Sequence, residues 1–110
     1  MAAQYQIRHA ADGRFYFNLT AENNKIILTS EMYAAKEGAL GGVDSVRANG
    51  PLIERYDRRT SIDEQDYFVL QAANGEIIGQ SEMYRSKAAM ENGLLAVQRV
   101  AAEAAVNDQT

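Results

Sequence analysis

The chain has 110 residues, 46% of them hydrophobic, with one Pro and eight Gly, which is the size and apolar content of one ordinary domain and unlike a disordered or fibrous chain. No cysteine occurs, so disulfides, thiolate catalysis and Cys-based zinc sites are excluded together. A formal charge of −4 does not favour non-specific attraction to phosphate backbones.

In chain order, Tyr5 to His9 reads as a first strand, joined through Asp12-Gly13 to Phe15-Tyr16-Phe17-Asn18-Leu19. That second segment alternates, with Phe15, Phe17 and Leu19 on one side and Tyr16 and Asn18 on the other, as a half-buried strand does. Asn23-Asn24 marks a turn into a third strand, Ile26 to Thr29. After Ser30-Glu31-Met32-Tyr33 the apolar spacing lengthens from two to three and four, at Ala39, Val43 and Val46. That spacing predicts a helix, ended by Asn49-Gly50-Pro51.

The pattern then repeats. Ile53 to Arg59 is the next first strand, Asp63-Glu64 replaces the Asp-Gly turn, and Tyr67 to Ala72 alternates with Phe68 and Leu70 inward and Tyr67, Val69 and Gln71 outward. Asn74-Gly75 reads as a two-residue hairpin turn leading to Glu76 to Gln80. Loss of the glycine at Glu64 predicts a less regular loop. A second Ser81-Glu82-Met83-Tyr84 precedes a helix with Met90, Leu94, Val97, Ala101 and Ala104 on one face. Ser86 is a suitable N-cap for it, whereas the first helix has Ala35 there. The Ala-rich run Val100 to Val106 predicts that the second helix continues for a turn or more.

Shifted by 51 residues, the chain matches itself without a gap, Tyr5 to Gly50 on Tyr56 to Ala101, with 17 identities in 46 pairs. The identities are mostly aromatic, aliphatic, glycine or turn residues, which specify a fold more than a reaction. A unit of that size alone is marginal, so one domain over residues 1–110 is expected, built from the repeats 5–50 and 56–101. Each repeat reads strand, strand, strand, helix. Two of them, related by a pseudo-two-fold, predict an α+β fold: one antiparallel sheet of about six strands with both helices on the same face.

The doubled Ser-Glu-Met-Tyr, with Phe-Tyr-Phe-Asn-Leu upstream, Ala-Ala-Asn-Gly-Glu-Ile-Ile-Gly in the second copy and Glu91-Asn92-Gly93 in its helix, resembles the YegP-like family of small bacterial tandem-repeat proteins. The resemblance covers nearly the whole chain. It implies an antiparallel sheet shared by the two units and a tendency to pair or to exchange terminal strands; it implies no activity, the family being one of unknown function. The chain departs from the pattern at Leu40-Gly41-Gly42, where the family has Glu-Asn-Gly, at the loop Asp63 to Asp66, and at a C-terminus that reads as helix instead of a polar tail.

Few residues suggest chemistry. Gly42 and Gly93 occupy equivalent mid-helix positions at a cost of about 1 kcal/mol each relative to Ala, which predicts a close approach of helix backbone to the sheet or to an aromatic ring. Glu31 and Glu82 could suggest an acid–base pair, but such a pair counts only with convergent geometry, and the plainer account is that each offsets Lys36 or Lys87 at a helix N-terminus and helps satisfy the free amides of the first turn. Met32, Tyr33, Met83 and Tyr84 read as an apolar plug between strand and helix. His9, the only histidine, pairs with Thr60 in the repeat and reads as an exposed residue. Metal spacing and phosphate loops are lacking, and no cofactor is expected.

Three functions are compatible with this pattern. The first is a non-catalytic module that binds a protein or a second copy of itself through the open sheet face, an edge strand or the second helix. The second is a single-stranded nucleic-acid binder using Tyr16, Tyr67, Arg8 and Arg59, with Asn18 and Gln71 on the same face. The third is a small enzyme centred on Glu31 or Glu82 and the adjacent tyrosines. A cytoplasmic protein is expected: Met1 to Gly13 has no apolar run of the secretion type, and no stretch approaches the roughly 18 apolar residues of a membrane span.

Overall fold

A computed structural model describes residues 2–110. Strands β1 (Gln4–His9), β2 (Phe15–Thr20) and β3 (Ile26–Ser30) lead into helix α1 (Lys36–Asn49). A 3-10 turn at Ile53–Arg55 precedes β4 (Tyr56–Thr60), β5 (Asp66–Gln71), β6 (Ile77–Gln80), helix α2 (Lys87–Val100) and a last strand, β7 (Ala105–Asp108). The seven strands form one sheet in the order β4-β5-β6-β3-β2-β1-β7. All pairs are antiparallel except β1 with β7. The fold is α+β, as the repeated pattern predicts.

The pseudo-two-fold axis passes through the β3–β6 seam. Thr29 pairs with Gln80 there, and these two residues are equivalent in the 51-residue repeat. On the helix-covered face, Tyr5, Ile7, Phe17, Leu19 and Leu28 from one repeat join Phe68 and Leu70 from the other, all fully buried, together with Val43, Val46, Leu94 and Val97 of the helices. Burying each large side chain contributes about 1.5–3 kcal/mol. Gly79 occupies the repeat position of Leu28, and a Cβ on it would stand 3.0 Å from Leu28 Cγ. One leucine therefore fills the axis where two would collide.

All four hairpins share one geometry. Ala10, Ala21, Ser61 and Ala72 each donate their N–H to the carbonyl four residues on, and each accepts from the N–H three residues on. The third loop residue is left-handed in every case: Gly13, Asn24, Glu64 and Gly75 have φ of 87°, 66°, 64° and 85°. These are three-residue loops closed by a left-handed residue. Asn74-Gly75 is therefore no two-residue turn, and the Glu64 loop is as regular as its sister, because the hydrogen bonds around it force Glu64 into the glycine conformation.

The helix termini differ as the sequence indicates. Ser86 Oγ accepts from the Ala89 amide at 3.1 Å, and Ala35 offers no side-chain cap. Helix α1 ends at Asn49, but Gly50 is right-handed, with φ −55°. Its glycine has another cause: a Cβ there would stand 2.5 Å from the Ala101 Cβ, where the two helix ends meet.

The C-terminus overturns the helical expectation. Helix α2 stops at Val100, Ala101 and Ala104 turn into the core, and β7 lies parallel to β1 with Gln4 beside Ala105 and Ile7 beside Asp108. The free backbone groups of β1 and the bond from Arg47 Nη2 to the Ala104 carbonyl, 2.8 Å, draw the chain out of the helix. The sheet thereby gains a seventh strand.

Candidate functional site

The face of the sheet opposite the helices carries one continuous row of side chains, one from each strand: Asp57, Val69, Gln80, Thr29, Asn18, Gln6 and Asn107 are successive cross-strand partners. Six of the seven are polar. Asn18 Nδ2 donates to Thr29 Oγ1 at 2.9 Å. Although no helix covers it, this face is well packed: Asn18 is 5% and Val69 1% exposed, because longer neighbours lean across them.

Those neighbours are the residues singled out by alternation. Arg8 pairs with Tyr16 across β1 and β2, and Arg59 pairs with Tyr67 across β4 and β5. Arg8 Nη2 donates to Gln6 Oε1 at 2.6 Å, and its Nε is buried with no hydrogen-bond partner. Arg59 Nε donates to Asp57 Oδ2 at 2.9 Å, which, with a smaller contribution from Tyr67, holds the guanidinium above its ordinary range. Because β2 and β5 run antiparallel, the two Arg–Tyr pairs occupy opposite ends of the row. Three strand spacings and about four residues separate Tyr16 from Tyr67, roughly 20 Å. The pairs are two stations and not one aromatic track. Gln71 lies beyond a bulge at the other end of β5, apart from Tyr67.

The repeated Ser-Glu-Met-Tyr divides into four roles. Ser30 Oγ accepts from the Phe17 amide and donates to the Glu31 carbonyl, both 2.8 Å; Ser81 Oγ repeats this with Phe68 and Glu82 at 3.0 and 2.8 Å. Each serine thus completes the ladder where its strand departs from regular pairing. Met32 and Met83 are 44% and 40% exposed, which corrects the plug reading for the methionines. The chain bends away there so that the next residue can pair back, and Tyr33 and Tyr84 form bridges with Phe15 and Asp66. Tyr33 and Tyr84 fill the space left by the helix glycines. A Cβ on Gly42 would collide with the Tyr33 hydroxyl and stand 2.9 Å from Phe17 Cε2; a Cβ on Gly93 would collide with the Tyr84 hydroxyl and stand 2.8 Å from its Cζ. Burial raises both phenols, and the adjacent Glu31 or Glu82 charge raises them further.

Glu31 and Glu82 line one shallow hollow of about 290 Å³ at the β3–β6 seam, with Thr29, Ser30, Gln80 and Ser81. Both carboxylates are exposed. Neither pairs with its lysine: Lys36 Nζ meets Asp108 at 2.8 Å, and Lys87 Nζ lies 3.6 Å from Asp66. The offset reading is corrected accordingly, because each lysine points toward the strand beside its helix. Glu82 and Tyr84 also border a groove of about 590 Å³ between the β2–β3 loop and α2, lined by Ile26, Ile27, Gly93 and Ala96. Alternation gave no sign of this groove, since it forms between elements of different repeats. His9 is exposed with its ring 4.4 Å from that of Phe15. Among the described residues no group of three or more His, Cys, Asp or Glu could hold a metal ion.

A family model described as a domain of unknown function, DUF1508, matches the chain twice, over residues 10–57 and 62–108. The chain belongs to this family. Relatives within it are the UPF0339 protein PA0329 of Pseudomonas aeruginosa, 44% identical, and the UPF0339 protein YegP of Escherichia coli, 40% identical, each over 110 residues and the whole of both chains. The DUF1508 fold agrees as well. The solution NMR structure of the Escherichia coli protein of unknown function YegP superposes with a TM-score of 0.93, covering 100% of this chain and 95% of that one. The UPF0339 protein SO3888 of Shewanella oneidensis superposes with a TM-score of 0.91 at 39% identity, covering 98% and 92%. Among the described residues no helix is long and apolar enough to cross a membrane.

Proposed function

We propose that the chain is a non-catalytic interaction module, with residues 1–110 acting as one domain and the uncovered sheet face as its working surface for a protein partner or a second copy. The reading rests on one observation: seven outward side chains, one per strand, form an unbroken row that no helix among the described residues covers, with Gln80 and Asn107 exposed and Asn18, Val69 and Gln6 packed beneath their neighbours. Polar hydrogen-bonding groups flanked by Tyr and Arg are the residue types enriched where proteins meet. Arg8 and Arg59 are already oriented by Gln6 and by Asp57, so little side-chain entropy remains to be lost on contact.

Catalysis by Glu31 and Glu82 has less support. A general acid or base works best when burial or a close neighbour tunes it toward neutral pH, and these carboxylates stand in water. A nucleic-acid track is disfavoured by the separation of Tyr16 from Tyr67 and by the net charge.

The test replaces Thr29 and Gln80, at the centre of the row, by arginine. Light scattering over a range of concentrations and cross-linking in lysate are compared with the unaltered chain. Loss of a captured protein or of a dimer in the variant is expected. A chain that is monomeric throughout and captures nothing, or one that binds oligonucleotides in a salt-sensitive way through Tyr67, rules the reading out.

A further inference from the structure

The pseudo-two-fold that relates the repeats is broken at the sheet edges. The edge of β1 is covered by β7, laid parallel to it, with Gln109 donating its amide to the Ile7 carbonyl at 3.0 Å. The equivalent edge of β4 has no strand beside it among the described residues. The segment that would cover it by the repeat operation, residues 54–57, is already used to enter and build β4. The chain cannot occupy both places.

The β4 edge retains the parts that hold β7 on the other side. Arg58 stands at the repeat position of Ile7. Its cross-strand partner Phe68 spends its amide and carbonyl on Ser81, on the β6 side, so the Arg58 amide and carbonyl point away from β5 toward open solvent. Lys36, which fixes β7 by its 2.8 Å contact with Asp108, has Lys87 as its equivalent. The Lys87 side chain is 81% exposed, with only a 3.6 Å contact to Asp66. A small hollow of about 120 Å³ lies there, bounded by Arg58, Lys87, Met90 and Glu91. Arg55 takes the place of Gln4, the residue that receives Asn107 at 2.8 Å. Where the β1 site offers Gln4, Ile7 and Lys36, the β4 site offers Arg55, whose Nε donates to Asn49 Oδ1 at 2.9 Å, Arg58, whose Nε meets Glu91 at 2.6 Å, and the exposed Lys87.

We propose that the β4 edge is a second binding site, separate from the uncovered face, that accepts an extended segment of a partner protein as a parallel strand. The segment has a small residue, an apolar residue and then acidic residues at its third and fourth positions, the fourth reaching Lys87 as Asp108 reaches Lys36. Strand addition of this kind draws affinity from main-chain hydrogen bonds and specificity from alternate side chains. A charged edge also blocks indiscriminate pairing, and the two roles agree, since Arg58 and Arg59 are already held by Glu91 and Asp57 and the loosely held Lys87 is the cation left to favour an acidic segment. The tail of a second copy is disfavoured as the occupant, because it must give up an equivalent site on its own β1.

The probe is an acetylated synthetic peptide of the chain's own residues Glu103 to Thr110, titrated into the ¹⁵N-labelled full chain. The Arg58 amide is expected to shift and to exchange more slowly with solvent. Binding is expected to weaken at least fivefold for the peptide carrying Asp108→Asn and for the Lys87→Met protein, and to vanish for Arg58→Pro, which removes an outward donor that an edge strand tolerates losing. Each variant is checked by its unchanged Asn18 and Thr29 signals, which also keep this test independent of the uncovered face. An unmoved Arg58 amide overturns the proposal, as do shifts confined to β1, affinity indifferent to Asp108→Asn and Lys87→Met, or a full-length dimer held by exchanged β7 strands.

Discussion

The Tyr5 hydroxyl donates to the Ala101 carbonyl at 2.5 Å, across 96 residues of chain. Its repeat counterpart Tyr56 donates to the Gly50 carbonyl at 2.6 Å, and Gly50 and Ala101 are themselves equivalent positions. Each tyrosine thus caps the helix of the other repeat, at the terminus where carbonyls lack intrahelical donors. Tyr5 also packs edge-on to Phe17, and Tyr56 to Phe68, with ring centroids 5.8 and 5.5 Å apart. Burial raises both phenols well above the usual tyrosine range, so they remain donors at any working pH. The two repeats are latched by an exchange of caps.

Removing either latch is expected to be costly. Tyr5→Phe and Tyr56→Phe keep the ring and leave a buried carbonyl unpaired, a loss of about 1–3 kcal/mol each. Urea denaturation measures it. An unchanged midpoint in either variant would mean that ring packing alone joins the repeats.

Gly93→Val adds side-chain volume where Tyr84 already lies, and the collision involves a ring backed by the sheet. Helix propensity alone would favour the replacement, Gly being the poorer helix former by up to roughly 1 kcal/mol, but overpacking is expected to outweigh that gain and leave a net loss of about 2–3 kcal/mol. Gly93→Ala in a Tyr84→Ala background removes the obstacle, so the double variant should be more stable than the sum of the singles predicts. Additive losses by thermal melting would show that Tyr84 is not the reason for the glycine.

Much of this architecture was legible because burial imposes a period. Phe17, Leu19, Phe68 and Leu70 alternate in sequence and lie inward in the fold, and the mid-helix glycines pointed to an aromatic ring. What escaped was decided by distant partners. Ala105–Asp108 has no buried side chain, and the Ala-rich run that leads into it favours helix, so only the waiting edge of β1 makes it a strand. Ser30 and Ser81 look like ordinary loop residues until the amides of Phe17 and Phe68 are seen to need them. Alternation put Asn18 and Val69 on the outer face, but nothing local told that flanking side chains would bury them.

Glu64 holds φ at +64° in the loop position that Gly13 fills in the first repeat. A left-handed conformation costs a side-chain-bearing residue about 1–2 kcal/mol, while glycine brings back roughly 0.4–1 kcal/mol of unfolded-state entropy. Glu64→Gly is therefore expected to stabilise the protein by up to about 1 kcal/mol, a rise of several degrees in Tm for a chain of this length. A lower Tm would mean that the Glu64 side chain contributes something its exposure does not suggest.

The attachment of β7 should depend on acid. Asp108 accepts from Lys36 at 2.8 Å and from the Thr110 amide and hydroxyl at 3.0 and 2.5 Å. These contacts, the Lys36 bond foremost, hold its carboxyl far below the usual carboxylate range. A carboxyl lowered in the folded state stabilises that state fully above its ordinary value, about 4, and the contribution disappears as pH falls toward the lower folded value. Solvent protection of the Gln109 amide, which bonds the Ile7 carbonyl, is therefore expected to stay level from neutral pH down to about pH 4 and to decline below it. Other carboxylates titrate in the same window, so the comparison is with Asp108→Asn, whose Gln109 protection should be weaker at neutral pH and change less on acidification. Parallel curves for the two proteins would show that the Lys36 contact does not anchor the strand.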